Sequence, residues 1–262
     1  MQKIFVALLC LFIASSAFAG EPEIISLLDV QGESNTGLLI GATESQIKKF
    51  FPSGKMSSQI LAYFVRVNGQ EILFDTGLND GHIINELAKN NIKPEDVKII
   101  MITHLHGDHF GGLIDSQGRA AFPNAEIYLS EIERDYWVND KRDEKVITAL
   151  MPYSEKINFF NFGDEVINGV KALDASGHTP GHTAFEIAGK ILIVGDIMHF
   201  PEIQLPNPNI SVRYDTDPDK ARESRIKILD YAAQNNLTIA GMHITPPGTC
   251  KIIKSGAGYE KR

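Results

Sequence analysis

The stretch THLHGDHFGG, Thr103 to Gly112, sets His104, His106, Asp108 and His109 within six residues of a chain that has only eight histidines. Imidazole nitrogens and carboxylate oxygens are the ligand atoms of zinc and of other divalent first-row metals. In an extended His104-x-His106 both side chains project the same way, because side-chain direction repeats every two residues, so the pair can hold one metal. Gly107 then lets the chain turn, and Asp108 and His109 face a neighbouring position. A lone loop histidine is usually a surface or hydrogen-bonded residue. Four ligand-type residues in this pattern, directly after an apolar run, point to metal instead. Other candidates follow short apolar runs or glycine turns: His178 and His182 in SGHTPGHTAF, Asp196 and His199 in IVGDIMHF, and His243 in IAGMHIT.

Such ligands must be carried by strands that end at one place. VKIIMITH is a short apolar strand with few charges that runs straight into the histidine loop. VKALDAS, TAFEIAG, KILIVGD and LTIAGMH are further strands, and AEIYLS is another, followed by a short helix in EIERDYWV. ILAYFVRVNGQEILFDTG has two apolar runs around Asn68-Gly69, which is a hairpin signal. Glu21 to Val30 reads as a strand, Thr43 to Gln59 as mostly loop, and Gly81 to Asn91 has helical spacing. Asp217-Pro218 opens the clearest helix, an N-cap followed by proline at the first helical position. Its inward stripe is Ala221, Arg225, Ile228, Leu229 and Ala232. Strand pairs alternating with single helices predict two packed sheets with helices outside.

The chain has 262 residues and a formal net charge of -8, enough length for one large α/β domain. That acidic balance, with no cluster of Lys and Arg, excludes nucleic acid as an expected partner. Residues 1–19, MQKIFVALLCLFIASSAFA, differ from the rest: Lys3 is a basic start, Ile4 to Ile13 is apolar, and Ala17-Phe18-Ala19 fits signal-peptidase cleavage. The apolar run is too short to span a bilayer, so no membrane anchor is expected. The reading is a signal peptide over 1–19, a single domain over 20–262, and a periplasmic or secreted product. Cleavage leaves Cys250 as the one cysteine, read as a small buried thiol without a disulfide.

His104-x-His106-x-Asp108-His109, Gly181-His182, Gly195-Asp196 and His243, with Asp75 of LFDTG, resemble the motif set of metallo-β-lactamase-fold hydrolases across residues 60 to 245. The resemblance implies an αβ/βα four-layer sandwich, two packed mixed β-sheets flanked by helices, with metals at one edge. It implies His104, His106 and His182 for a first metal, Asp108, His109 and His243 for a second, and Asp196 as a bridge. Two divalent ions, zinc favoured, would follow. PSGKMSSQILAYFVRVNG, LTHLHGDHFGG as a pattern (here ITHLHGDHFGG), YDTDP and AGMH look most like the acyl-homoserine lactonase and methyl-parathion-hydrolase-like subgroup. Asp75 matches a carboxylate behind the metal loop that would orient a histidine, and it could equally cap a Thr-Gly bend.

Differences among relatives narrow the chemistry. Diiron members carry glutamate where His106 stands. True β-lactamases of the fold generally lack the bridging aspartate. Glyoxalase-II-like thioesterases add a helical domain, whereas about twenty residues follow His243 here. His178 is expected to hydrogen-bond within its own GHTPGH turn. His199, three residues past Asp196, stands where homoserine lactonases often carry a substrate-contacting tyrosine; it is read either as a donor to substrate or as packing beside Phe200. Phe50, Phe51, Met56, Phe110, Tyr136, Trp137 and Phe200 are candidates for an apolar substrate wall or for ordinary core.

The function expected is an exported dinuclear hydrolase whose metal-bridging hydroxide opens an ester bond, with an N-acyl-homoserine-lactone-type lactone favoured and Asp108 or His199 returning the proton. The alternatives are phosphotriesterase, arylesterase or β-lactamase activity, and a binding protein whose metals only hold the fold. The partner expected is a small-molecule ester or lactone, and the family resemblance allows a homodimer.

Overall fold

The computed structural model describes residues 21–262, so the expected signal peptide lies outside the described residues. The chain opens with β1 (Glu23–Asn35), a short β2 (Leu39–Ile40), α1 (Glu44–Phe50), β3 (Lys55–Val67) and β4 (Gln70–Phe74). Asn68 and Gly69 take φ of 49° and 76°, the paired left-handed turn that matches the twist of a two-residue hairpin. Next come α2 (Ile83–Lys89), β5 (Ile99–Met101), α3 (Gly107–Phe110), β6 (Glu126–Ser130), α4 (Glu131–Arg134), α5 (Glu144–Leu150) and β7 (Ile157–Phe160). In space these strands lie in the order β1-β3-β4-β5-β6-β7. The first three pair antiparallel, and β4 through β7 pair parallel.

The second half gives β8 (Glu165–Ile167), β9 (Val170–Asp174), β10 (Thr183–Ile187), β11 (Ile191–Gly195), α6 (Pro201–Gln204) and β12 (Ser211–Val212). It continues with α7 (Pro218–Gln234), β13 (Thr238–Gly241), β14 (Thr249–Cys250), and a terminal hairpin of β15 (Ile252–Ser255) and β16 (Gly258–Lys261). The second sheet runs β14-β13-β11-β10-β9-β8.

Alternation along the strands sorts the core into layers. Tyr63, Val65, Phe74 and Met101 of the first sheet meet Ala172, Phe185, Ile193 and Ala240 of the second. The opposite face of the first sheet, with Phe64, Leu73 and Ile100, packs on Ile83, Leu87 and Val146 from α2 and α5. Leu192, Val194 and Ile239 of the second sheet pack on Ile228, Leu229 and Ala232 of α7. Helix, sheet, sheet, helix is the expected sandwich. Each fully buried aliphatic side chain in it contributes roughly 1.5–3 kcal/mol.

The segment expected as loop from Thr43 to Gln59 is instead α1 followed by the start of β3. Its signal was local: Thr43 Oγ1 accepts from the Gln46 backbone N–H, and Gln46 Oε1 accepts from the Thr43 N–H, a capping box. β1 also runs past Val30 to Asn35, pairing with β3 along its whole length. The excursion between them is held by a small separate core in which Phe51 and Met56 meet Phe200, Ile203, Ile210 and Val212. EIERDYWV is helical as expected, but it changes pitch: α4 passes into a π-helix over Asp135–Asp140. α5, β7, β8 and the terminal hairpin had no sequence expectation.

Candidate metal centre

The loops after β5, β9, β11 and β13 converge at one edge of the two sheets. His106 is extended, with φ -84° and ψ 153°, and α3 begins at Gly107. The change from extended to helical backbone therefore divides the motif into two pairs. His104, His106, His178 and Asp196 offer ligand atoms within 4.8 Å of one another, and so do Asp108, His109 and His243. Asp196 joins His199 and His243 in a third such group.

Hydrogen bonds fix which nitrogens point inward. His109 Nδ1 faces Asp75 Oδ2 at 2.7 Å, His178 Nδ1 faces Asp215 Oδ1 at 2.9 Å, and His243 Nδ1 faces the Gln59 carbonyl at 2.6 Å. Thr103 Oγ1 donates to Asp75 Oδ2 at 2.8 Å, so it accepts from His104 Nδ1 at 3.1 Å. Each of these four rings thus donates outward through Nδ1 and leaves the Nε2 lone pair facing in. His104 Nε2 and His178 Nε2 stand 3.0 and 2.9 Å from His106 Nδ1. A single proton serves at most one of these contacts well, whereas a cation among the three nitrogens satisfies all of them. Ligands at 2.0–2.1 Å from a tetrahedral zinc stand about 3.3 Å apart. His178 Nε2 lies 3.3 Å from Asp196 Oδ2, and His104 Nε2 lies 3.8 Å from the same oxygen.

Asp196 lies between the two groups, and its Oδ2, which faces His104 and His178, also reaches the second one. Oδ1 is 3.3 Å from His109 Nε2, and Oδ2 is 3.0 Å from His243 Nε2. His243 Nε2 and His109 Nε2 lie 3.6 and 3.7 Å from Asp108 Oδ2. Among the described residues, the buried His109 Nε2 and Asp196 Oδ1 have no hydrogen-bond partner. Orphaned buried polar atoms are costly unless something fills the gap. This donor set fits divalent metal.

The charges agree. Burial, together with the neighbouring His109, holds His104 well below the ordinary histidine range; burial and His178 bring His106 down to about 3. Burial opposes a proton on His178, but hydrogen bonds to Asp196 and Asp215 raise it to about 9. Burial also opposes charge on His109, which Asp196, Asp108 and Asp75 overcome. Burial thus disfavours charge on His104 and His106, while the neighbouring carboxylates favour it on His109 and His178.

One expectation is corrected. His182 was expected at the metal and His178 within its own turn; the structure exchanges them. His182 Nδ1 donates to the Ala175 carbonyl at 2.8 Å, and its Nε2 accepts the Asp196 N–H at 3.0 Å. Both nitrogens are spent on backbone, so none is left for a metal. Gly195 belongs to the same device: at φ 53°, a Cβ there would overlap His182 Nε2. His178 bonds outside its turn, to Asp215, and presents Nε2 to the cluster.

Asp75 stands behind the histidine loop. It is buried at φ 59°, and it accepts from the Thr103 N–H at 2.8 Å as well as from His109. Sequence reasoning missed Asp215 and Glu133. Asp215 lies in YDTDP, and nothing local shows it meeting a histidine 37 residues away. Buried Arg225, brought down to about 10 by burial, donates to the carbonyls of Pro208 and Ile210 at 2.9 Å. Its guanidinium lies 3.7 Å from Asp215, which supports that carboxylate.

His199 stands in the site. Its Nε2 is 3.1 Å from Asp196 Oδ2, and its ring stacks on His243 at 4.7 Å with 14° between planes. A cavity of about 540 Å³ opens over His106, Asp108, Asp196, His199 and His243. Of the expected aromatic wall only Phe200 lines it; Ile60, Leu78 and Tyr214 supply the rest, with Ser34 and Ser58 from β1 and β3. Phe51 and Met56 lie in the small core, and Phe110 in the main one. Trp137 sets its ring edge-on to His106 at 5.5 Å, with Tyr136 against it at 5.3 Å. Phe50 packs at the margin of the small core.

Comparison with known proteins gives a consistent result. The family model for the metallo-beta-lactamase superfamily matches residues 57–243. The chain is 27% identical over 182 residues to an N-acyl homoserine lactonase of Bacillus cereus, covering 58% of this chain and 68% of the relative. Other curated lactonases are spanned over 47% of their length. A solved structure described as hydrolase AbOPH in the beta lactamase superfamily superposes with TM-score 0.84 and 31% identity, over 93% of this chain and 94% of the other. AidC, described as a dizinc quorum-quenching lactonase with a product bound, gives TM-score 0.83 and 25% identity over 93% and 95%.

Proposed function

The chain belongs to the metallo-beta-lactamase superfamily of metal-dependent hydrolases, and from that premise we propose that it is an exported dinuclear hydrolase that opens a lactone of the N-acyl-homoserine-lactone type. The observation that carries this reading is the inward convergence of imidazole lone pairs and two carboxylates beneath an open cavity. His104, His106 and His178 are assigned to one divalent ion, and Asp108, His109 and His243 to the other, with Asp196 between them. Zinc suits this nitrogen and oxygen set. Two such ions, when bound, supply a water whose pKa falls to about 7 and Lewis-acid stabilisation of the reacting oxygens.

The chain's own residues do the rest. Asp75, Asp215 and the Gln59 carbonyl hold His109, His178 and His243 in the tautomer that faces inward. Ile60, Leu78, Phe200 and Tyr214 wall the cavity and exclude water from an apolar tail. His199, next to Asp196 and open to the cavity, is assigned as donor to the substrate oxygen; Asp108 is the second candidate to carry the proton. No Lys or Arg stands among the lining residues, and the two carboxylates there are acidic. Uncharged lactones, aryl esters and phosphotriesters suit that lining. Penicillin-type β-lactams and glutathione thioesters carry carboxylates for which the lining offers no cationic side chain, so β-lactamase activity ranks last. A closed structural metal site would need no cavity, which weighs against metals that only hold the fold.

No helix among the described residues is long and apolar enough to cross a membrane. Export rests on residues 1–19 and predicts a mature N-terminus at Gly20 in a periplasmic or extracellular fraction; Met1 retained on cytoplasmic protein overturns it. A homodimer is carried over from the family resemblance. The test of function is a panel of lactones, phosphotriesters, aryl esters and β-lactams on metal-reconstituted protein. Lactone turnover should be fastest, abolished by chelator and restored by metal. A preference for β-lactams, or no metal-dependent turnover at all, refutes the proposal.

A further inference from the structure

Glu133 is fully buried, lies outside both the ligand set and the cavity lining, and has no cationic partner among the described residues. A carboxylate so placed costs several kcal/mol unless its oxygens are satisfied. Here they are. Oε1 accepts from the Leu105 N–H at 2.9 Å and from Trp137 Nε1 at 2.7 Å. Oε2 accepts from Thr179 Oγ1 and from the Gly181 N–H, both at 2.8 Å. Leu105 sits between His104 and His106, and Thr179 follows His178. One side chain therefore ties together the two segments that carry three converging imidazoles.

Two neighbours make this tie specific. A Cβ on Gly181 would overlap the Glu133 backbone, so the histidine turn rests directly on α4 with no side chain between. The π-helix after α4 carries Trp137, which donates to Glu133 while its ring bounds His106. Single-turn π segments often occur at functional sites.

We infer that Glu133 is a positioning residue: it sets the His104–His106 segment against His178, and so tunes the affinity of the metal those histidines hold. The inference rests on the metal reading above. Misplacement of a ligand by about 1 Å is enough to spoil a site.

Glu133→Gln keeps the volume but turns an amide NH2 toward two donors, whichever way it flips. Zinc affinity, measured by chelator competition on mature protein, should fall about 10–100-fold for one of two ions, while the second ion is retained. Melting of the metal-free protein is measured alongside. Lower melting with unchanged zinc affinity and an unchanged kcat-to-KM split would mean that Glu133 only holds the fold, and would overturn the inference. Should Glu133→Gln fail to fold, Thr179→Val removes one of the four bonds; a several-fold loss of zinc affinity supports the inference and no loss refutes it. Wild-type protein that takes up no zinc defeats the metal reading itself, and this inference with it; wild type with two ions and an unaltered variant defeats this inference alone.

Discussion

His178 and His182 sit four residues apart in one turn, and substituting each with alanine should have opposite consequences. His182 is fully buried, and its two hydrogen bonds go to the Ala175 carbonyl and the Asp196 N–H. His182→Ala orphans both backbone groups at about 1–3 kcal/mol each and leaves a cavity in a core site. The total is roughly 3–6 kcal/mol of folding stability, or a melting temperature lower by about 6–24 °C at this chain length. The folded fraction should still take up close to two metals, because the turn carries no ligand nitrogen of His182. His178→Ala removes an inward Nε2 and strands Asp215, so metal content should fall toward one per chain. The measurements are metal analysis after dialysis and calorimetry of the metal-free proteins. Loss of metal in His182→Ala together with two metals in His178→Ala would refute the assignment.

Further outcomes follow from the same geometry. Asp196→Ala takes away the carboxylate between the two ligand groups and leaves two cations unscreened, so metal content should drop below two with loss of turnover; full occupancy at wild-type rate would mean that Asp196 is no bridge. His199→Ala should keep near two metals yet lower kcat/KM by about 10²–10³, with partial recovery on lactones in His199→Tyr; lost metal would make it a ligand, and unchanged turnover would make it packing. For metal-free protein, burial holds His106 and His182 at about 3 and His199 at about 4. Unfolded chains protonate these near 6.5, so the stability they contribute is present above that pH and is lost as pH falls, by at least about 1.4 kcal/mol per unit. His178, at about 9, works the other way, and its contribution is complete below 6.5. Melting of chelated protein should therefore fall from pH 7 to pH 5, and a flat profile would refute this balance.

Much of the molecule could be read locally. His104-x-His106 share a direction because extended backbone repeats every two residues, and the structure has both facing one point. Asn68-Gly69 forms its hairpin because only such residues take two left-handed angles cheaply. Asp217 and Pro218 start α7, whose expected inward stripe is buried throughout. α1 was also legible: Thr43 and Gln46 formed a capping box that the polar, serine-rich surroundings obscured.

The sequence by itself determined the ligand types, the strands that deliver them and the split of the histidine motif at Gly107, because each depends on backbone within a few residues. It could not choose between His178 and His182. Both are histidines in one glycine-rich turn, and the choice was made by partners far along the chain: Asp215 takes one ring's Nδ1, while the Asp196 N–H and Ala175 carbonyl take up both nitrogens of the other. Glu133, Asp215 and the cavity wall were invisible for the same reason. A carboxylate's role depends on which donors surround it, and those donors come from segments that only packing of the two sheets brings together.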